Sequence, residues 1–257
     1  MQVTYLYHSG FAVDTGDNFL IFDYYRDLPR GAGLSKGVVR PADLAGRRVT
    51  VFASHHHPDH FNRRIFSWRK ELPGIRYVLS SDIKDRAEAA VISPGQRLCL
   101  DGLTVRALES TDEGVAFLVQ TNSGTVFHAG DLNWWYWAGE PEAENQEMGR
   151  RYREQIDLLR GERIDVAFVP VDPRLGGQYL YGLGYLMTAL SPRMAFPMHF
   201  GEDLSVTRRL QEDPQTAAYR ERVAVIERRG AAVCVILNFK MKDRKGRYYE
   251  SKNSQTP

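Results

Sequence analysis

The chain has 257 residues, 43% of them hydrophobic and 11% aromatic, which is enough to build a sizeable core. Its 34 Lys and Arg against 32 Asp and Glu leave a net charge of +2, a balance that gives nucleic acid no support as a partner. No apolar run approaches the ~18 residues of a membrane span, and the opening MQVTYLYHSG has no basic stretch followed by an apolar one, so the expectation is a cytoplasmic protein with no membrane partner.

In chain order, the first half offers short strand-like runs punctuated by Gly, Asp or Asn, at 3–7, 11–13, 19–23, 49–53, 76–79, 96–100 and 103–108. Segment 26–48 holds four Gly and two Pro with little periodicity and reads as a long surface excursion that could wall a site. GVAFLVQT and GTVFHAGD, joined at Asn122-Ser123-Gly124, predict an antiparallel hairpin that leaves Asp131 just past a strand end. Met148, Tyr152, Ile156 and Leu159 then recur at helical spacing and predict a helix over 141–160. Strand-like runs at 164–169, 193–197 and 231–239 alternate with predicted helices at 178–190 and 203–228. The polar extension 241–257 could turn back as a hairpin through 243–246. Cys99 and Cys234 lie in apolar runs and read as reduced, buried thiols. Meandering strands followed by alternating strands and helices predict one mixed α/β domain over 1–257, with two sheets and helices outside them.

The chemistry concentrates in SHHHPDH. His55 and His57, two apart on an extended backbone, can bite one cation, while Asp59 and His60 form a second pair where Pro58 forces a turn. His56, between the ligands, should face away. Two nitrogen ligands plus an N,O pair suit two borderline divalent ions a few ångströms apart. Such a centre needs ligands from elsewhere, and Asp131 in FHAGD and His199 in PMHFG both lie at predicted strand ends that could converge on one mouth.

The order His55-x-His57-x-Asp59-His60, then Gly130-Asp131, then His199 resembles the metallo-β-lactamase fold superfamily over nearly the whole chain. YHSGF, FHAGD and MHFG resemble its branch of L-ascorbate-6-phosphate lactonase-like metal-dependent hydrolases. The resemblance implies a four-layer αβ/βα sandwich with two central mixed β-sheets and two divalent transition metal ions at one sheet edge, zinc first, with manganese or iron as alternatives. Asp131 would bridge the ions, and Asp59 would both ligate and orient the attacking water. His8 resembles a residue that rims the pocket and would contact substrate or donate a proton; His128 suits a partner behind the ligands.

Relatives with a full dinuclear site carry a further histidine before the hairpin, and here that stretch is ALESTDEG. The position falls near Thr111, where Asp112 or Glu109 could supply an oxygen ligand and tilt the centre toward a harder ion. Asn133 and Trp134 in DLNWWYW are candidates for substrate contact, with Trp135, Tyr136 and Trp137 beside them, and Tyr179, Tyr181 and Tyr185 for another wall. The expected activity is hydrolysis of a small ester, lactone or phosphoester by a metal-activated water. The alternatives are a degenerate ligand-binding member without turnover, an RNA-directed phosphodiesterase and an iron-dependent redox role. A homo-oligomer stays open.

Overall fold

The computed structural model describes residues 1–86 and 88–237, together with the backbone of 240–242 and 248–250. Strands β1 (Gln2–Tyr7), β2 (Gly10–Asp14), β3 (Phe19–Phe22), β4 (Val49–Ala53), β5 (Arg76–Ser80) and β6 (Ala90–Ile92) lie side by side in that order. The second sheet holds β7 (Arg97–Leu100), β8 (Leu103–Glu109), β9 (Val115–Thr121), β10 (Gly124–His128), β11 (Val166–Pro170) and β12 (Met194–Met198), in the reverse spatial order β12-β11-β10-β9-β8-β7. A last strand, β13 (Ala232–Cys234), adds to the first sheet beside β1. Both sheets are mixed. β1 to β3 and β7 to β10 run antiparallel to their neighbours, whereas β3 to β6 and β10 to β12 are parallel.

Alternation along each strand explains the layers. In the first sheet Phe11, Val13, Leu20, Phe22 and Phe52 turn to the second sheet, while Ala12, Phe19, Ile21, Val49 and Val51 turn to the outside, and both sets are buried. Between the sheets the aromatic rings interlock, with Phe11 stacked on Phe168 at 4.3 Å and Phe52 edge-on to Phe117 at 5.4 Å. Outside the second sheet lie α1 (Glu142–Asp157), α2 (Tyr181–Leu190) and α3 (Ser205–Glu212), whose Tyr152, Ile156, Leu183, Leu186, Val206 and Leu210 join the same core. The first sheet is covered by a 3-10 helix, Arg63–Lys70, through Ile65 and Trp68.

Several expectations change. Segment 26–48 does not wall the site: Val38, Val39 and Leu44 are buried, and the segment serves as part of the outer cover of the first sheet. The helix expected over 203–228 stops at Glu212, because Pro214 cannot donate to a continuing helix; the chain goes on in 3-10 turns at Pro214–Thr216 and Arg220–Arg222. Cys99 and Cys234 are free, as expected, but exposed rather than buried, since β7 and β13 are edge strands. Strands Lys240–Lys242 and Tyr248–Glu250 pair antiparallel as a separate ribbon, while the turn at 243–246 and residues 238–239 of the last expected strand lie outside the described residues. Among the described residues no helix is long and apolar enough to cross a membrane.

Candidate metal centre

The chain delivers its polar residues to one edge of the sandwich. His8 sits in the turn from β1 to β2, Asp23 just after β3, residues 54–60 after β4, 110–114 between β8 and β9, Asp131 after β10, Asp172 after β11 and His199 after β12. These are the carboxyl ends of the parallel strands and of the strands that run with them, where open α/β sheets leave a crevice. His8, Asp23 and His199 all hold left-handed backbones, with φ of 57°, 44° and 66°. Such conformations cost about 1–3 kcal/mol each for a non-glycine residue and persist where surrounding structure over-determines them.

Asp131 is the hub. Its Oδ1 lies 3.3 Å from His60 Nε2 and 3.4 Å from His199 Nε2, and its Oδ2 lies 3.5 Å from His55 Nε2. The other nitrogen of each ring is held from behind. His60 Nδ1 meets Asp23 Oδ2 at 2.7 Å, His199 Nδ1 meets Asp172 Oδ2 at 3.0 Å, and His55 Nδ1 meets Ser54 Oγ at 2.9 Å. Ser54 donates its own hydroxyl hydrogen to Asp23 Oδ2 at 2.7 Å, so its oxygen accepts from His55. Nδ1 therefore carries a proton in all three rings, and Nε2 is the position left for a cation or a second proton.

The burial of these atoms suits the donor set to a metal. His55 Nε2, His60 Nε2 and Asp131 Oδ1 are buried without a hydrogen-bond partner. Polar atoms left so cost roughly 1–3 kcal/mol apiece, and a cation among them removes that cost. Without one, protons substitute. Burial opposes charge on His199, but bonding to Asp131 and Asp172 carries it up to about 10; His60 is raised in the same way, against burial, by Asp131 and Asp23. Burial and the neighbouring His60 bring His55 down to about 4, leaving it neutral near pH 7. Burial also pushes on Asp131, yet the three imidazoles hold its carboxyl far below the usual range.

His8 is different. Its Nδ1 accepts the Gly201 N–H at 3.2 Å, so its proton is on Nε2, 3.5 Å from Asp59 Oδ2. Burial and the neighbouring His199 and His60 hold it down near 3, so it is a neutral N–H donor facing the site. His128 lies behind the centre, donating Nε2–H to the Ser9 carbonyl at 2.8 Å and accepting the Gly130 N–H at 3.1 Å.

Three groups whose donor atoms lie within 4.8 Å of one another adjoin here: His55, His60 and Asp131; His57, Asp112 and Asp131; and His8, Asp59, His60 and His199. His55 and His57, expected to share one cation, fall in two of these groups, with their rings 4.6 Å apart and Asp131 common to both. His56 turns away, its N–H and Nδ1 both on Asp82 at 2.7 and 2.9 Å. At the place of the absent histidine, the Thr111 hydroxyl is fully engaged, donating to the Asn133 carbonyl at 2.7 Å and accepting the Asn133 N–H at 2.9 Å. Asp112 reaches the centre; Glu109, at the exposed end of β8, joins none of these groups among the described residues. Burial, then the charge of Asp131, raises the Asp112 carboxyl.

Gly114 closes this loop against β4. It has φ 69°, Val115 N–H donates to Ser54 O at 2.9 Å, and a Cβ on Gly114 would lie 2.0 Å from that same carbonyl oxygen. Gly114→Ala is expected to destabilise the protein by roughly 3 kcal/mol or more, seen as a lower urea midpoint at unchanged slope.

His57, Asp59, Thr111, Asp112, Asp131 and His199 line a cavity of about 340 Å³ together with Trp135, Trp137, Met148 and Arg174. Asn133 and Trp134 are not among its walls, contrary to expectation. Asn133 is buried against Gly182, where a Cβ would meet its Oδ1 at 2.0 Å, and Trp134 lies against Gly149 of α1 under the Arg153 guanidinium at 4.5 Å. The chain after Asp131 alternates, so the neighbouring Trp135 and Trp137 face the cavity instead, 6.2 Å apart and nearly parallel. Tyr181 and Tyr185 line a separate groove of about 400 Å³ with Trp134, which holds no metal-ligating group, and Tyr179 is buried with its hydroxyl on Asp213. Sequence reading missed Asp23, Asp172 and Arg174. The signal was present: both aspartates directly follow apolar strands, in FLIFD and VAFVPVD, as Asp131 follows FHAG.

The model of the family described as Beta-lactamase superfamily domain matches residues 2–199. A UPF0173 metal-dependent hydrolase of Opitutus terrae is 28% identical over 225 residues, covering 79% of this chain and 86% of that protein. Igni18, a metallo hydrolase of Ignicoccus hospitalis, shares the fold with a TM-score of 0.58 at 18% identity, over 90% of this chain and 97% of that one. The metallo-β-lactamase fold protein YhfI of Bacillus subtilis does so with a TM-score of 0.56 at 15% identity, over 90% and 98%.

Proposed function

The chain belongs to the metallo-β-lactamase superfamily, and on that footing we propose that it is a metal-dependent hydrolase of a small ester, lactone or phosphoester. The observation that carries this reading is the convergence of three ε-nitrogens on Asp131, those of His55 and His60 buried without a partner, with the δ-nitrogens of His55, His60 and His199 held by Ser54, Asp23 and Asp172. His55, His57, Asp131 and Asp112 would hold one divalent transition ion, and Asp59, His60, His199 and Asp131 the other. Zinc suits the imidazoles, and manganese or iron the added carboxylate. When bound, the ions supply Lewis acidity to the scissile carbonyl or phosphoryl group and acidify a water.

The residues do the rest. Asp59 orients the attacking water and takes its proton as the new bond to carbon or phosphorus forms. Asp59 then gives that proton to the leaving oxygen as the old bond breaks, while neutral His8 donates an Nε2–H hydrogen bond to the charge developing there. The 3.5 Å between Asp59 Oδ2 and His8 Nε2 keeps the two groups within reach of one leaving oxygen, and Asp59 ends the cycle ionised again. The cavity of about 340 Å³ suits a small molecule, near the low end of ligand pockets at ~300–1,000 Å³.

Purified protein from medium containing zinc, manganese and iron should carry about two equivalents of transition metal, and chelation should remove hydrolysis of an ester, lactone and phosphodiester panel. Absence of bound metal would overturn the reading. The engagement of Thr111 where relatives carry a histidine favours one second reading, a ligand-binding protein without turnover. That reading predicts metal or ligand binding with no hydrolysis across the panel.

A further inference from the structure

Arg174 is the only lysine or arginine among the described residues that line the metal-site cavity. It opens the 3-10 turn after β11, in the sequence Asp172-Pro173-Arg174. Its guanidinium has two forks of paired N–H groups. One is spent on Asp172: Nε contacts both carboxylate oxygens at 2.9 Å and Nη2 contacts Oδ2 at 2.5 Å. No described residue accepts from Nη1, so the second fork is without a partner among the described residues. The side chain is 65% exposed and lines the cavity together with Asp131 and Asp59.

Resting on the hydrolase reading above, we infer that the second fork of Arg174 receives a carboxylate of the substrate, and that the physiological substrate is a small carboxylate-bearing ester or lactone. A planar carboxylate matches a two-hydrogen fork. Asp59, Asp112 and Asp131, lining the same cavity, disfavour a phosphate dianion, for which one guanidinium is a poor counter-charge. Trp135 and Trp137 line the same cavity, with the guanidinium 5.7 Å from the Trp137 ring, and supply an apolar surface for the body of the molecule. Scissile bond at the histidines, body on the indoles and carboxylate at Arg174 fix one orientation.

The experiment compares the mono-4-nitrophenyl ester of glutaric acid with 4-nitrophenyl butyrate, and separately titrates benzoate and inorganic phosphate against tryptophan fluorescence. The carboxylate ester should show a kcat/KM roughly 10- to 100-fold above the neutral one, in line with a charge-assisted pair. Arg174→Gln should bring that ratio close to one and weaken benzoate binding by a similar factor, and Arg174→Lys should fall between. Metal content is measured in each variant. If Arg174→Gln loses metal through Asp172 and His199, the wild-type ester ratio, the salt dependence of benzoate binding and the Arg174→Lys ratio decide instead. Equal kcat/KM for the two esters, or phosphate binding more tightly than benzoate, overturns the inference and leaves the hydrolase reading standing. Arg174-dependent benzoate binding without ester hydrolysis supports the carboxylate site and counts against the hydrolase reading.

Discussion

Asp131→Ala is expected to strip the protein of bound transition metal and to lower hydrolysis by at least ~10³-fold, with the fold retained. The side chain is the common neighbour of His55, His60 and His199, at 3.3–3.5 Å from each ε-nitrogen, and also stands with His57 and Asp112. No other carboxylate among the described residues occupies that junction. Removing it takes from His60 and His199 one of the two anions that raise each, so both rings shift toward neutrality while Asp23 and Asp172 remain. Asp131→Asn sharpens the test, because it preserves shape while aiming an amide at nitrogens that need a cation. Metal measured by mass spectrometry beside a thermal melt separates loss of the site from loss of the fold. Retention of two equivalents with full turnover would remove Asp131 from the centre.

The second large effect concerns the place opposite the histidine cluster. Asp112→Ala should release about one of two metal equivalents and slow hydrolysis by roughly 10- to 100-fold, while Glu109→Ala should do neither. The contrast follows from placement, Asp112 being grouped with His57 and Asp131 and Glu109 projecting from the exposed end of β8. Asp112→His puts a nitrogen near the position where relatives carry one, and should shift selectivity from manganese toward zinc, read by competitive metal loading. If Asp112→Ala keeps both ions, the carboxylate is not a ligand.

The fold was readable where runs of β-formers were bounded by turn signals. Strands such as Val49–Ala53, buried throughout because both faces of a central strand are covered, and the hairpin across Asn122-Ser123 follow from β-branched and aromatic runs and a turn signal. Residues 203–228 were misread because apolar spacing carried on past Pro214, and the tertiary cover of the second sheet accepts short 3-10 turns there as well as a helix. Edge position decided the cysteines, and no local pattern reveals which strand is at an edge. At the site, the cluster 55–60 announced its own chemistry, whereas Asp23 and Asp172 act on imidazoles 37 and 27 residues away. Their role lies in a convergence of strand ends that spacing alone does not encode. The tryptophan run shows the same limit: its composition marked a wall, but the local turn chose Trp135 and Trp137 over Trp134.

The anchoring of the imidazoles has a mechanical side. His55 and His60 follow β4 and are braced by Ser54 and Asp23 on the first sheet, whereas Asp131 and His199 follow β10 and β12, with Asp172 behind them after β11, on the second. The donor set therefore straddles the seam of the sandwich. Any sliding of one sheet over the other changes the separation between its two halves, so the centre gauges inter-sheet alignment. An ion gripped from both sides acts as a rivet, and its binding energy becomes resistance to shear between the layers.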